Sequence, residues 1–182
     1  MKENCKEFVF VIGKSEGMNQ EKIIEGFNNL VECQRKIKDE SIFTLVTFND
    51  ECKVSASGKS MNQMRKYTPK TYSPRGRSAL LDAIGTAIDL VGERLSETSE
   101  WDMPNGVVVI IIGEEDNAST VYDYEHVNSM INLQKYTYKW DFVLYSNTGF
   151  KFDINKGGNL ENEEKIFDVI NMYIANLRTA GR

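Results

Sequence analysis

Short apolar runs separated by amphipathic segments are the feature that most constrains the fold of this chain. The clearest runs are FVFVI at 8–12 and VVVIII at 107–112. A strand that is apolar on both faces is typical of a parallel sheet with helices on each side. Apolar residues recur at helical spacing in the segments between and after these runs, namely 18–37, 79–95, 121–134 and 166–177. The alternation predicts a three-layer α/β fold with a doubly wound, Rossmann-like and mostly parallel sheet.

One part of this sheet is expected to run antiparallel. Residues 42–48 predict a strand, and the Asn49-Asp50-Glu51 turn brings 52–55 back beside it as an antiparallel edge strand. A short helix is predicted around 61–67, and the last strands at 140–145 and 150–154. A length of 182 residues fits a single domain spanning 1–182.

Composition narrows the classes of partner. The chain has 27 acidic and 22 basic residues, which gives a net charge of -5. Because nonspecific nucleic-acid binding needs a basic surface, this charge argues against it.

The longest apolar run, 107–112, is far shorter than the roughly 20 residues of a membrane span. The charged amino terminus is unlike a signal peptide, and three cysteines without a C-x-x-C pair are typical of reduced thiols. We therefore expect a cytoplasmic protein that binds neither nucleic acid nor membrane.

Three loops are the candidate binding region. In doubly wound sheets, ligands bind beyond the carboxyl ends of the strands, where the strand order switches. Residues 13–17 and 113–119 follow the two most apolar strands, and residues 74–78 precede the strongest helical segment.

These loops and their neighbours resemble the von Willebrand factor type A (vWA) domain, in the form found in small single-domain bacterial proteins. Most of the chain takes part in the resemblance, and the matching stretches occur in the family's order. They are FVFVIGKSEGM at 8–18, GFNNLVECQRK at 26–36, FTLVTFNDE at 43–51, SPRGRSALLDAIGTAI at 73–88, VVVIIIGEEDNAST at 107–120 and WDFVLYSNT at 140–148. The resemblance implies a vWA-like sheet and a role in binding another protein.

In the vWA family, the loops form a metal-ion-dependent adhesion site (MIDAS). The first loop carries D-x-S-x-S, the second a threonine, and the third an aspartate within T-D-G. The resemblance places Gly13 at the first aspartate, retains Ser15 as the first serine, and places Gly17 at the second. Ser78 keeps a hydroxyl at the threonine position, and Gly113 stands at the second aspartate.

Both family carboxylates are therefore replaced by glycine. Mg²⁺ requires oxygen ligands, usually with carboxylates, and gives up its waters reluctantly. Two neutral hydroxyls do not offset that cost, so we predict a degenerate site with no bound metal and no other cofactor. The predicted binding residues on the loops are Gly13, Lys14, Ser15, Glu16, Gly17, Ser78, Gly113 and Glu114.

Other interpretations of these loops remain open. Ser78 directly precedes a helix, where a serine commonly serves as the N-cap. Glu16, Glu114, Glu115 and Asp116 form an acidic group that is either a solvated surface or a set of displaced metal ligands. The same acids, acting as general acid and base, would suit a hydrolase, but no nucleophile or recognised motif accompanies them.

Several residues are assigned ordinary roles. Gly13-Lys14-Ser15 is not a phosphate-binding loop, because the required glycine five positions earlier is Phe8. His126, the single histidine, lies in a predicted helix away from the loops, and Asp82 and Asp89 are expected on a solvated helix face or in local hydrogen bonds. The aromatic pair Tyr67 and Tyr72 is equally consistent with a protein-binding surface and with closure of the core.

The sequence thus predicts a non-catalytic protein–protein interaction module of the vWA type. A partner is expected to dock on the three loops. Backbone amides at the helix amino termini, together with Lys14, are predicted to receive a partner carboxylate directly, in place of a bridging metal.

Overall fold

The computed structural model describes residue 2 and residues 5–149, 151–159 and 163–180. Within these residues, six strands form one sheet in the order β3-β2-β1-β4-β5-β6. The strands are β1 (Glu7–Gly13), β2 (Ile42–Phe48), β3 (Cys52–Ser60), β4 (Val107–Gly113), β5 (Asp141–Ser146) and β6 (Lys156–Gly158). All neighbours pair in parallel except β2 and β3, so the predicted α/β sheet with one antiparallel edge strand is confirmed.

Four helices cover the two faces of the sheet in the described part of the chain. They are α1 (Gln20–Arg35), α2 (Leu80–Ser96), α3 (Tyr124–Thr137) and α4 (Glu163–Thr179). α1 and α4 pack against one face around Phe8, Phe10 and Ile12, whereas α2 and α3 pack against the other around Val9 and Val11. Alternate residues of β1 thus enter opposite cores, which explains why this strand is apolar throughout.

The prediction of a strand at 150–154 is wrong. The edge strand is β6, three exposed residues paired with β5, and Phe150 lies outside the described residues. Phe152 and Ile154 instead pack against the α2–α3 side of the sheet from a segment without regular structure. Their apolar character reflects this packing rather than strand pairing. Gly157 in β6 approaches β5 so closely that a Cβ there would collide with the carbonyl oxygen of Leu144.

The other boundaries differ from the predictions by a few residues. β3 continues to Ser60, and the helix predicted near 61–67 is a single 3-10 turn at Met61–Gln63. α1 begins after Asn19 and α3 after Asp123, because each of these side chains accepts a backbone N–H from the first helical turn.

The sheet order places the candidate binding region. β1 lies at the centre, and the chain moves from it to β2 on one side and to β4 on the other. The loops after β1 and β4 therefore diverge at the switch in strand order, where doubly wound folds bind ligands.

Candidate functional site

The three predicted loops meet in one layer at the carboxyl ends of the strands, which we call the rim (residues 13–17, 74–78 and 113–119). Backbone hydrogen bonds join the first two loops, from Arg75 N to Lys14 O at 2.8 Å and from Glu16 N to Gly76 O at 3.0 Å. Asn117 N donates to Ser78 O at 2.9 Å and joins the second loop to the third. All eight residues predicted to bind a partner lie on this rim.

Gly13 and Gly113, the positions that the resemblance assigns to the two aspartates of the family, lie next to each other. A Cβ on Gly13 would lie 3.1 Å from the Gly113 Cα, and a Cβ on Gly113 would lie 2.6 Å from Cζ of Phe48. The Phe48 ring is fully buried and packs with Leu80 on the α2 side of the sheet. The Phe48 ring thus occupies the space in front of Gly113, where a Cβ would clash with it, and a Cβ on Gly13 would be tightly packed.

Ser15 and Glu114 form the polar centre of the rim. The Ser15 hydroxyl, 1% exposed, donates to Glu114 Oε2 at 2.5 Å. Gly17 lies directly beneath this carboxylate, since a Cβ there would collide with it. The glycine at the second serine position therefore makes room for the Glu114 side chain.

Ser78 is not the N-cap of α2, contrary to one interpretation of its position. The cap residue is Ala79, and the Ser78 hydroxyl instead donates to the backbone oxygen of Glu114 at 3.2 Å. The backbone N–H of Ser78 donates to Oδ1 of Asn117 at 2.8 Å. This serine fastens the second loop to the third.

The third loop supplies the caps for α2. Asp116 Oδ1 accepts from Leu81 N at 3.2 Å, and Ser119 Oγ accepts from Asp82 N at 2.9 Å. α1 is capped by Asn19, whose Oδ1 accepts from Lys22 N at 3.1 Å. The prediction that helix amides receive a partner carboxylate is therefore wrong for these three amides, because each already donates to a side chain.

Asp82 has a structural role that its position in a helix did not indicate. Its carboxylate accepts three backbone N–H groups, from Thr120, Val121 and Tyr122, at 2.8–2.9 Å. It thereby holds the end of the third loop against α2. Asp89, two turns further along the same face of α2, accepts the hydroxyl of Tyr122 at 2.6 Å.

Cations dominate the side of the rim near β2 and β3. Burial, followed by the nearby charges of Arg75 and Lys53, lowers the pKa of the Lys14 ammonium below its usual value, and the carboxylate of Glu51 opposes this shift only in part. Among the described residues, no carboxylate forms an ion pair with these three cations, whereas Arg77 nearby is paired with Asp50 at 3.0 Å. An anion placed beside Lys14 would relieve this repulsion.

The acidic residues of the rim are divided between two environments. Glu114 and Asp116 are partly buried and bonded within the rim, whereas Glu16 and Glu115 are exposed. The group of four carboxylates considered as displaced metal ligands does not assemble. Within the part of the chain that the structure describes, no cluster of three or more acidic, histidine or cysteine side chains is arranged to hold a metal ion.

These residues do not fit the magnesium ion that the family resemblance implies. A hard cation needs several oxygen ligands, normally with carboxylates facing inward. Here the Ser15 hydroxyl and the Glu114 carboxylate bond to each other, and the positions of the two aspartates face the Phe48 ring.

Tyr67 and Tyr72 close the core and are not a binding surface. Tyr72 is fully buried and Tyr67 is 7% exposed, stacked on Phe27 with ring centroids 4.3 Å apart. The Tyr72 hydroxyl donates to the Gly13 carbonyl at 2.6 Å and supports the first loop from below. His126 is exposed on α3, where its ring lies against Tyr122.

Solved structures with the same architecture are vWA domains. The vWF domain of the type V pili tip protein Mfa5 from Porphyromonas gingivalis is 11% identical, with a TM-score of 0.58 and coverage of 97% of each chain. A von Willebrand factor type A protein from Catenulispora acidiphila is 11% identical, with a TM-score of 0.58 over 95% of this chain and 42% of that one. The mussel byssus protein PTMP1, whose MIDAS motif holds zinc, is 16% identical, with a TM-score of 0.55 over 91% of this chain.

The chain therefore has the vWA fold, in a small domain-sized form. It spans 46% of the PTMP1 chain, less than half of that protein. No family model and no curated protein sequence matches it. In the described residues, no helix combines the length and the apolar character needed to cross a bilayer.

Proposed function

We propose that this chain is a non-catalytic protein-interaction module of the vWA type that binds its partner on the rim without a bridging metal ion. The observation that carries this proposal is the packing of Gly13 and Gly113 beside Phe48, where a Cβ on Gly113 would clash with the ring and neither residue offers a carboxylate to a metal ion. The vWA fold supports the interaction role, and the free cysteines fit a cytoplasmic location.

The partner group that best suits the rim is a carboxylate. Lys14, Arg75 and Lys53 raise the positive potential on one side of the rim, and Lys14 is already partly desolvated. A charge-assisted hydrogen bond to a partner carboxylate would cancel part of this repulsion. Direct capture by Lys14 thus takes the place of a metal held between two acidic side chains.

The rim lacks the features of a hydrolytic site. An activated nucleophile needs both a neighbouring base and access to the substrate. The Ser15 hydroxyl donates to the Glu114 carboxylate, but Ser15 is only 1% exposed, so a substrate does not reach it. The exposed His126 is bonded through its backbone to Asp123 on α3 and lies off the rim.

A metal-dependent module is the second candidate, and the Ser15–Glu114 contact favours it. This contact supplies one carboxylate and one hydroxyl at the place where the family holds its ion. Rotation of Glu114 away from Ser15 would expose both groups to a cation, with the remaining ligands provided by water and by the partner.

Affinity capture from native lysate distinguishes these candidates. The tagged full chain is used with and without EDTA, and the captured protein is identified and then titrated in purified form. The proposal predicts the same recovery with EDTA and loss of binding for Lys14→Glu. Lys59→Glu, an exposed charge reversal on β3 away from the rim, is the matched control and should bind normally.

Calorimetric titration of the purified chain with millimolar Mg²⁺ or Mn²⁺ gives an independent answer. We expect no saturable heat. Saturable binding that disappears in Ser15→Ala and in Glu114→Gln would instead establish the metal-dependent candidate.

A further inference from the structure

The edge strand β3 pairs irregularly with β2. β3 has nine residues and β2 has seven, and the register shifts twice, between Phe43 and Leu45 and between Leu45 and Val46. Phe43 lies opposite Lys59, whereas a regular hairpin continued from the turn would place Ser57 there. The outer part of β3 therefore carries β-bulges, which bend a strand and increase its twist.

The apolar pattern of β3 does not specify this register. Its last six residues read S-A-S-G-K-S at 55–60, in which Ala56 has the only apolar side chain and is partly buried. Register is weakly specified where a strand is polar on both faces or contains glycine, and such strands slip or pair with other chains. We therefore looked for another interaction that fixes the position of β3 on β2.

A buried polar network lies at the shift that contains Thr44. The Thr44 hydroxyl accepts the backbone N–H of Gly58 at 3.0 Å and donates to Oε1 of Glu7 at 2.7 Å. Both carboxylate oxygens of Glu7 accept from Nη2 of Arg94 at 2.5 Å. Glu7 and Thr44 have no exposed surface. Through these side chains, the network connects β3, β2 and β1 with the last turn of α2.

Gly58 is the residue of β3 that meets this network. Its φ of 57° lies in the left-handed region that favours glycine. Its backbone lies over the guanidinium of Arg94, since a Cβ on Gly58 would be in contact with that group at 3.4 Å. The bulge at this position thus combines a glycine conformation with a side-chain acceptor on the neighbouring strand.

Stability alone does not explain a network of this kind. Desolvation of a buried ion pair often outweighs its attraction, and apolar side chains of similar volume are often at least as stabilising. The Nε of Arg94 is also buried without an acceptor among the residues that the structure describes. Buried polar groups can instead select one arrangement among several, because every other arrangement leaves them unpaired.

We propose that the network of Glu7, Thr44 and Arg94 sets the register of β3, and that the bulges it maintains keep this edge of the sheet from pairing with a strand of a second copy. Without the network, β3 pairs regularly with β2 and places Ser57 opposite Phe43. A regular edge presents an uninterrupted row of backbone N–H and C=O groups, which is a template for another strand.

Nuclear magnetic resonance of the isotope-labelled full chain tests the register. The wild type should show Overhauser contacts between backbone protons of Phe43 and Lys59. In a triple variant, apolar side chains of similar volume replace the network, and contacts between Phe43 and Ser57 should take their place. The triple variant combines Glu7→Leu, Thr44→Val and Arg94→Met.

A single substitution keeps the test decisive if the triple variant does not fold. Thr44→Val removes the acceptor of Gly58, so the Gly58 amide hydrogen should exchange about tenfold faster, as expected for the loss of one hydrogen bond. Thr44→Ser keeps the hydroxyl and should restore slow exchange. Thr47→Val is the matched control, at a buried position of β2 outside the two shifts, and should leave the Gly58 exchange and the Phe43–Lys59 contacts unchanged.

Sedimentation velocity over a dilution series tests the role of the edge. The triple variant should self-associate at concentrations where the wild type and Thr47→Val do not. Adding Ser55→Lys to the triple variant places a charge at an exposed position of the edge and should reverse this association.

Three results would overturn the proposal. A triple variant that keeps the Phe43–Lys59 contacts, or a Gly58 amide that exchanges equally in Thr44→Val and Thr47→Val, would show that the network does not set the register. A shifted register without increased self-association would show that the bulges do not protect the edge.

Discussion

The two halves of the rim use their charges differently. In the third loop, Glu114 and Asp116 turn inward, where one accepts the Ser15 hydroxyl and the other caps α2. In the first two loops, Lys14 and Arg75 have no ion pair with any described residue, and they crowd each other and Lys53. Glu114 and Asp116 of the third loop, which we call the acidic half, thus hold the structure together. The first two loops, which we call the cationic half, carry Lys14 and Arg75 without an ion pair among the described residues, beside the exposed Glu16.

From composition alone, we would expect a partner to meet an acidic surface, and the hydrogen bonds of the rim argue against this expectation. The chain has a net charge of -5, yet Glu114 and Asp116 at the centre of the rim are already hydrogen-bonded. On the same rim, Lys14 and Arg75 have no ion pair with any residue that the structure describes. The charge available to a partner depends on hydrogen bonding at the site rather than on the number of acidic residues.

Restoring a family carboxylate provides the strongest test of this contrast. Gly113→Asp should lower the free energy of unfolding by about 3 kcal/mol or more, because the side chain would meet the Phe48 ring and bury a charge. Urea unfolding at one fixed protein concentration measures the loss. Gly92→Ala in α2, where a Cβ meets nothing within 4 Å, should instead be neutral or slightly stabilising. A Gly113→Asp variant that keeps its stability and binds Mg²⁺ would show that the acidic half still forms a metal site.

Removal of Asp82 should have the next largest effect. Asp82→Ala leaves three backbone amides of the third loop without an acceptor, and we expect a loss of about 2–3 kcal/mol. Hydrogen exchange should show faster exchange at Thr120, Val121 and Tyr122. Asp89→Ala, which removes one hydrogen bond from the hydroxyl of the half-buried Tyr122, should cost less than about 1 kcal/mol. Equal losses in the two variants would mean that Asp82 does not anchor the loop.

Substitution of Asp116 tests whether the acidic half caps the amino terminus of α2. Asp116→Ala should cost about 1 kcal/mol in thermal or urea unfolding, the usual cost of losing a helix cap. Asp116→Asn keeps an oxygen acceptor and should lose less. The neighbouring Glu115→Ala, at an exposed position, should change stability by less than about 0.5 kcal/mol. If Glu115→Ala were the more damaging change, the assignment of the two acids would be reversed.

The smallest expected effect is a gain in stability on substitution of Lys14, whereas the substitutions described above are expected to lower stability. Lys14→Gln removes one of three crowded cations and should raise stability at neutral pH by a few tenths of a kcal/mol, while weakening partner binding. Because folding lowers the pKa of Lys14, the folded state binds this proton more weakly than the unfolded state does. The charged Lys14 ammonium therefore destabilises the wild-type protein at pH values below the pKa of Lys14 in the folded state. This destabilisation disappears as the pH rises to 10.5, the pKa of Lys14 in the unfolded state.

Unfolding measured from neutral to alkaline pH checks this sign. The advantage of Lys14→Gln over wild type should shrink as pH increases. Lys59→Gln on β3 serves as the control and should track the wild type throughout. An advantage that grew with pH would contradict the repulsion inferred for the cationic half.

Most of the architecture could be predicted from local pattern. The apolar runs of β1 and β4 predict central parallel strands, and the Asn49-Asp50-Glu51 turn predicts the antiparallel edge. The strand predicted at 150–154 failed because Phe152 and Ile154 enter the core without strand pairing. An apolar residue reports burial, and burial does not require a strand.

The sequence predicted where the rim residues lie but not which hydrogen bonds they form. The resemblance placed Ser15, Ser78 and Gly113 on one rim, where the structure also has them. The caps of α2 come from residues about 35 positions away in sequence, so the N-cap interpretation of Ser78 was wrong. Asp82 offered only a weak signal, an acidic residue in the first turn of a helix.

The sequence by itself determined the order of strands and helices and placed glycine where the family has its two aspartates, because periodicity and residue identity are local properties. Only the tertiary structure decided what occupies the space in front of those glycines and which charges remain unpaired. Phe48 fills that space from a neighbouring strand, and Glu114 reaches Ser15 across 99 residues of chain. Contacts between distant segments form when the sheet assembles, so no local pattern specifies them.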